Sequence, residues 1–199
     1  MNKAVFLDRD GVINRKPEEG EYITSWDGFH ILPGAADGIA LLNKAGYKVV
    51  VVTNQRCVAK DQLSVTDLEK IHEQMSRALS TAGAKLDGIY YCPHDYKPPC
   101  NCRKPAPGML LEAARIHSID LGSSWMIGDS DIDMQAGKSV GCKRARVSAE
   151  REKHETGGNI PDIVGQVEIK ASSLLDSARQ ILKWDTRPGI DSEKRKMTT

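Results

Sequence analysis

Apolar residues are distributed along this chain in two alternating patterns. Ala4 to Leu7 is a short unbroken apolar run that stops at Asp8, as a buried strand does. Tyr47 to Val52, with valine at four consecutive positions, is the strongest strand signal, and its β-branched run fits a central parallel strand covered on both faces. Ile89 to Tyr91, Trp125 to Ile127 and Lys143 to Val147 read as further strands, the last as the closing one. Helical periodicity fills the gaps. Pro33-Gly34 introduces a helix through Ile39, Leu41 and Leu42 that Gly46 ends. Thr66 and Glu69 are spaced as a capping box for a helix to about Thr81, with Gly83 behind it. Gly108 to His117 and a short stretch around Met134 and Ala136 complete the set. Strands alternating with helices at these lengths predict an open α/β sheet with right-handed crossovers.

Composition narrows the function classes. A chain of 199 residues favours one domain, and the reading is a single domain over 1–186 followed by a flexible polar tail over 187–199. The formal net charge is +1, so composition gives no case for nucleic-acid or membrane partners. No signal-peptide core and no run of about 18 apolar residues is present. A cytoplasmic protein with no obligate protein partner is expected.

Of five cysteines, Cys92, Cys100 and Cys102 fall within eleven positions, together with His94. A cluster of this kind is not a secreted disulfide framework. Three thiols and an imidazole match a Cys₃His zinc site, and Pro93, Pro98 and Pro99 stiffen the loop between them. Four protein ligands close a tetrahedron and leave no place for substrate, so a structural zinc is expected. Cys142, His72 and His117 read as packing or surface residues, and His30 and His154 lack ligand spacing.

Candidate chemistry sits at the strand ends. Asp8-Arg9-Asp10-Gly11 ends the first strand, and Gly128-Asp129-Ser130-Asp131-Ile132-Asp133 ends the fourth. Ligands of open α/β sheets bind at the carboxyl ends of strands, and converging carboxylates suit a hard dication such as magnesium. Thr53-Asn54 follows the second strand with a hydroxyl and an amide, and Arg103-Lys104 brings positive charge ahead of a helix.

In this order the segments resemble the haloacid dehalogenase-like phosphatase superfamily, from about Lys3 to Cys142. The motifs are Asp8-x-Asp10-Gly11-Val12, Thr53-Asn54, Lys104 and Gly128-Asp129-x-x-x-Asp133. The resemblance implies a three-layer Rossmann-like fold with a mostly parallel sheet, no large cap, and a zinc-loop insert at 92–102. It implies that Asp8 attacks phosphorus to give an aspartyl-phosphate and that Asp10 is the acid and base. Asp8, the Asp10 carbonyl and Asp129 would hold magnesium, Thr53 and Lys104 would hold the phosphoryl oxygens, and Asp133 would order the site.

Cys92-Pro93-His94 with Cys100-Asn101-Cys102-Arg103-Lys104-Pro105 looks like two bacterial groups. They are the heptose 1,7-bisphosphate 7-phosphatases and the histidinol-phosphate phosphatases. Asp8-Arg9-Asp10-Gly11-Val12-Ile13-Asn14 looks more like the heptose group, so the substrate implied is a small sugar bisphosphate. Within that group Arg103, Asn14 and Tyr22 are implied at the substrate pocket, while the Asn54 amide, by its place after the second strand, is expected to hold phosphate oxygens. Two positions depart from the group. Arg56-Cys57 stands where Ser-Gly is usual, and Ser130 stands where a basic residue is usual. Arg56 is expected either at the pocket, where it offers a replacement for that charge, or facing solvent. Another sugar-phosphate phosphatase, a phosphotransferase, or a zinc-stabilised binding module on this fold are the alternatives.

Overall fold

A computed structural model describes residues 1–148 and 167–187; His154 and the tail from 188 onward lie outside the described residues. Six strands form one parallel sheet: β1 (Ala4–Leu7), β2 (Lys48–Asn54), β3 (Gly88–Cys92), β4 (Trp125–Gly128), β5 (Lys143–Val147) and β6 (Ile169–Ala171). Their order across the sheet is β3-β2-β1-β4-β5-β6, which puts β1 between β2 and β4. Leu7 is in register with Val51 on one side and Ile127 on the other. The next residue on each strand therefore emerges at one edge, where β2 and β4 leave β1 on opposite sides.

Alternation along β1 separates two cores. Val5 and Leu7 pack on one face with α1 (Ala35–Lys44), α2 (Val65–Thr81) and α5 (Leu174–Asp185). Ala4 and Phe6 pack on the other with α3 (Gly108–His117) and α4 (Asp131–Ser139). Both faces of β1 and of β2 are thus sealed, as the apolar runs predicted.

Three local readings are corrected. The α2 cap is Ser64, whose hydroxyl accepts from the Asp67 N–H, rather than Thr66 with Glu69. Tyr47 precedes β2 instead of opening it. Lys143 to Val147 is not the closing strand, because β6 adds beside it and α5 returns over α1. Asp185 fixes that return, accepting from the Tyr47 hydroxyl at 2.6 Å and pairing with Lys3 at 3.1 Å.

Candidate active site

Asp8 leaves β1 with its N–H bonded to the Ile127 carbonyl at 2.9 Å, so the adjoining strand sets its position. Gly11 then turns the chain at φ +90°, and a Cβ there would run into the Asp129 carboxylate. Gly128 has the same role opposite, since its bare Cα lets Asp133 approach the end of β4. Carboxylate oxygens of Asp8, Asp129 and Asp133 consequently lie within 4.8 Å of one another.

Lys104 holds this acidic group together. Its side chain is 1% exposed, and Nζ lies 2.8 Å from Asp8 Oδ1 and 2.6 Å from Asp133 Oδ1. It also donates to the Val52 carbonyl at 2.7 Å. Burial favours the neutral amine, but the two carboxylates outweigh it and hold Lys104 protonated far above the ordinary lysine value. Its backbone is fixed by Asn54. The Asn54 amide donates to the Lys104 carbonyl at 3.1 Å, and its carbonyl accepts from the Lys104 N–H at 3.0 Å. The Asn54 amide, expected to hold phosphate oxygens, thus positions Lys104.

Asp133 is wholly buried and caps α4, accepting from the Ser130 N–H at 3.2 Å and from the Ser130 hydroxyl. Ser130, the unusual residue at its position, thus serves the cap. The amine near Asp129 comes from Lys16, whose Nζ is 2.6 Å from Asp129 Oδ2. Arg56 does not take that place, because its guanidinium pairs with Asp95 at 2.5 Å. Lys16 and Asp129 are separated by 113 positions, so no sequence spacing links them.

The site is short of positive charge. Burial raises the Asp8 carboxyl to about 7; Lys104 opposes this, while Asp133, Asp129 and Asp10 add to it. Burial also raises Asp129 against the pull of Lys16, with Asp133 adding to the rise. An all-oxygen, proton-hungry cluster fits magnesium, which would relieve this repulsion. Asp10 is the opposite case. Burial would raise it, but Arg9 together with amide hydrogen bonds from Asn14 and Gln55 lowers it. Asn14 is fully buried and donates to Asp10 at 2.8 Å, so it supports Asp10 instead of lining the pocket. Gln55 donates from one amide nitrogen to Asp10 at 3.1 Å and to buried Thr53 at 2.9 Å. Its place directly after Thr53-Asn54 was the available signal for this role.

The mouth of the site carries the remaining candidates. Tyr22 lines a cavity of about 260 Å³ with Arg15, Lys16 and His30. Lys60 Nζ lies 5.2 Å from the centre of the Tyr22 ring. Arg56 and Arg103 both lie against the exposed Tyr96 ring, at 4.2 and 4.4 Å from its centre. Arg103 also donates to the His94 carbonyl at 3.1 Å, which ties it to the cysteine loop.

In that loop the potential ligands already face one another. Cys92 Sγ is 3.6 Å from both His94 Nδ1 and Cys100 Sγ, and Cys100 and Cys102 are 3.5 Å apart. His94 Nδ1 and Cys102 Sγ are 3.1 Å apart. A tetrahedral zinc with ordinary bond lengths needs edges of about 3.8 Å between sulfurs and about 3.6 Å from sulfur to nitrogen. The donor set fits, and none of the cysteines forms a disulfide. Burial would raise the Cys100 thiol, but the Arg103 N–H and neighbouring thiols bring it down to about 6, while burial pushes Cys92 up and burial with the neighbouring thiols pushes Cys102 up to about 12.

A family model described as HAD-hydrolase-like matches residues 101–166. The D-glycero-beta-D-manno-heptose-1,7-bisphosphate 7-phosphatase of Neisseria meningitidis serogroup B is 34% identical over 95% of this chain and 100% of its own length. Its namesake in Escherichia coli K12 is 41% identical over 67% of this chain and 72% of its own. A solved D,D-heptose 1,7-bisphosphate phosphatase from B. bronchiseptica, complexed with magnesium and phosphate, superposes with a TM-score of 0.80. It is 35% identical and covers 92% of this chain and 99% of that one. With its strand-end carboxylates and these relatives, the chain belongs to the haloacid dehalogenase-like hydrolases, in the family of heptose-1,7-bisphosphate 7-phosphatases, and is a phosphoric monoester hydrolase.

Proposed function

We propose that this phosphatase removes the 7-phosphate of D-glycero-D-manno-heptose 1,7-bisphosphate through an aspartyl-phosphate on Asp8. The observation that carries the reading is the shared cradle of Asp8, Asp129 and Asp133 around Lys104. Asp8, the backbone carbonyl of Asp10 and Asp129 would hold magnesium, which when bound supplies positive charge to the carboxylates and the phosphoryl oxygens.

Asp8 attacks phosphorus in line as the bond to the sugar oxygen breaks, and Asp10 gives its proton to the departing alkoxide. Asp10 then takes a proton from water, which attacks the phosphoryl group and releases Asp8 and inorganic phosphate. The resting site suits the second half, because its donors keep Asp10 anionic. Arrival of an anionic phosphate beside it raises its affinity for the proton the first half needs. Lys104 and Thr53 bind equatorial oxygens, with Lys104 neutralising charge that grows in the transition state.

Arg103 and Arg56, brought together at Tyr96, suit the phosphate that does not react, with Tyr22 flanking the sugar. Four ligands from one loop make zinc structural there. Cys102 adjoins Arg103-Lys104, so the closed loop also supports the phosphate-binding amine.

A magnesium-dependent phosphate-release screen tests the substrate. Heptose 1,7-bisphosphate in each anomeric form, histidinol phosphate and p-nitrophenyl phosphate serve as probes. The highest kcat/KM is expected for a heptose bisphosphate. Preference for histidinol phosphate would replace this substrate with the alternative one.

A further inference from the structure

We propose that His72 is a positioning residue that holds the Asp10 carboxylate in its working orientation through the buried guanidinium of Arg9. The inference rests on the acid–base role proposed for Asp10.

Arg9 is only 1% exposed, an unusual setting for a permanent charge. Its Nε lies 3.2 Å from Asp10 Oδ1, and Nη2 lies 3.1 Å from Oδ1 and 3.0 Å from Oδ2. The remaining terminal nitrogen, Nη1, meets His72 Nε2 at 3.2 Å. A guanidinium has donors only, so His72 Nε2 must present a lone pair and the ring proton must sit on Nδ1. The ring of Phe29 lies 5.6 Å beneath the guanidinium. Asp10 on one edge and His72 on another therefore fix a planar group that, with the Asn14 and Gln55 amides, sets the orientation of the carboxylate.

The pairing is stable to pH. Burial and the Arg9 charge push His72 down to about 3, so the ring stays a neutral acceptor across the working range. His72 projects from the middle of α2, is 5% exposed, and touches the Tyr91 ring at 5.5 Å. It reaches no carboxylate of the cradle within hydrogen-bond distance. Without the acceptor, Nη1 would be a buried charged donor with no partner, and the guanidinium would turn to find one. Asp10 would lose its paired guanidinium contact and keep only the Asn14 and Gln55 amides.

The two halves of the reaction make this testable. A sugar alkoxide leaves only with a proton, whereas p-nitrophenolate leaves without one. Misaligning Asp10 should slow phosphoenzyme formation from the sugar ester and spare the aryl ester. Rapid-quench bursts with heptose 1,7-bisphosphate and p-nitrophenyl phosphate would be compared for wild type, His72→Phe, His72→Gln and Asp10→Asn. The ratio of the two burst rates within one sample does not depend on the folded fraction, and His72→Met repeats the comparison if phenylalanine is not accommodated.

Of the roughly 10²- to 10⁴-fold that general acid catalysis supplies, His72→Phe should lose about tenfold or more on the sugar ester. The aryl ester should stay within about threefold of wild type, and His72→Gln, which keeps an acceptor, should recover most of the loss. Equal slowing of both esters, or no slowing of either, would overturn the inference and leave His72 as packing. If Asp10→Asn itself failed to discriminate the esters, the acid–base reading would fall, and the inference with it. A discriminating Asp10→Asn beside an indifferent His72→Phe would overturn the inference alone.

Discussion

Two clusters in this molecule are shaped for metal ions, and they are built in opposite ways. The cysteine loop draws all four donors from positions 92 to 102, whereas the carboxylate cradle draws on residues 8, 129 and 133. The loop brings its own donors together through short-range chain geometry. The cradle exists only because a parallel sheet ends three strands at one edge and two glycines permit close approach. The loop's four donors would complete a tetrahedron around zinc, while the cradle's share one lysine and remain short of positive charge. Closure is what stability needs and incompleteness is what catalysis needs, so breaking each should give a different signature.

The largest separation should come from Asp8→Asn. Phosphate release should fall by roughly four orders of magnitude or more, since an amide is a poor nucleophile for phosphorus. Zinc content, read by atomic emission, should stay at the wild-type value. Lys104→Met should act on both activity and fold. Losing the charge on the transferring phosphoryl group should cost roughly 10²- to 10³-fold in kcat. It also leaves Asp8 and Asp133 buried without their shared cation, which should cost roughly 3–5 kcal/mol in denaturant unfolding.

Cys102→Ser should mainly affect stability. Loss of the closed tetrahedron should lower Tm by on the order of 10 °C, and kcat measured well below that Tm should fall by less than about tenfold. An unchanged Tm would remove the structural role of the loop.

The smallest expected effect is a pH dependence. The folded-state affinity of Asp8 for its proton is raised to about 7 from an ordinary value of 3.8. Between those values the folded state binds more protons than the unfolded one, so this group's contribution to stability is lost as pH rises. Magnesium binding the deprotonated cradle should therefore raise Tm more at pH 8 than at pH 5.5. Thermal unfolding at several pH values checks the sign. In Asp8→Asn the pH dependence of the magnesium shift should shrink.

Legibility in the sequence followed the same division. The cysteine loop was legible as a cluster because its potential donors are neighbours in the chain. The sheet was legible through Ala4–Leu7 and the valines of Tyr47 to Val52, whose apolar runs are sealed on both faces as expected. The edge was less so. β6 is a three-residue strand with Lys170 exposed, too short for periodicity to mark, and it escaped notice with the amphipathic α5 behind it. Asp8, Asp129 and Lys104 were legible as motif members, but the bonds that specify their neighbours were not. Asn14 and Asn54 are consumed within the site, and Lys16 reaches Asp129 across most of the chain. Such partnerships depend on which loop crosses which strand end, and composition or spacing carries no record of that.

The central claim is that the first carboxylate of the cradle becomes covalently phosphorylated. Wild-type enzyme quenched during a single turnover and treated with borohydride converts an aspartyl-phosphate to homoserine, which peptide mass spectrometry locates. The account predicts homoserine at position 8, and none there without substrate. Its absence during active turnover, or its appearance at Asp10 or Asp129 instead, would contradict the account.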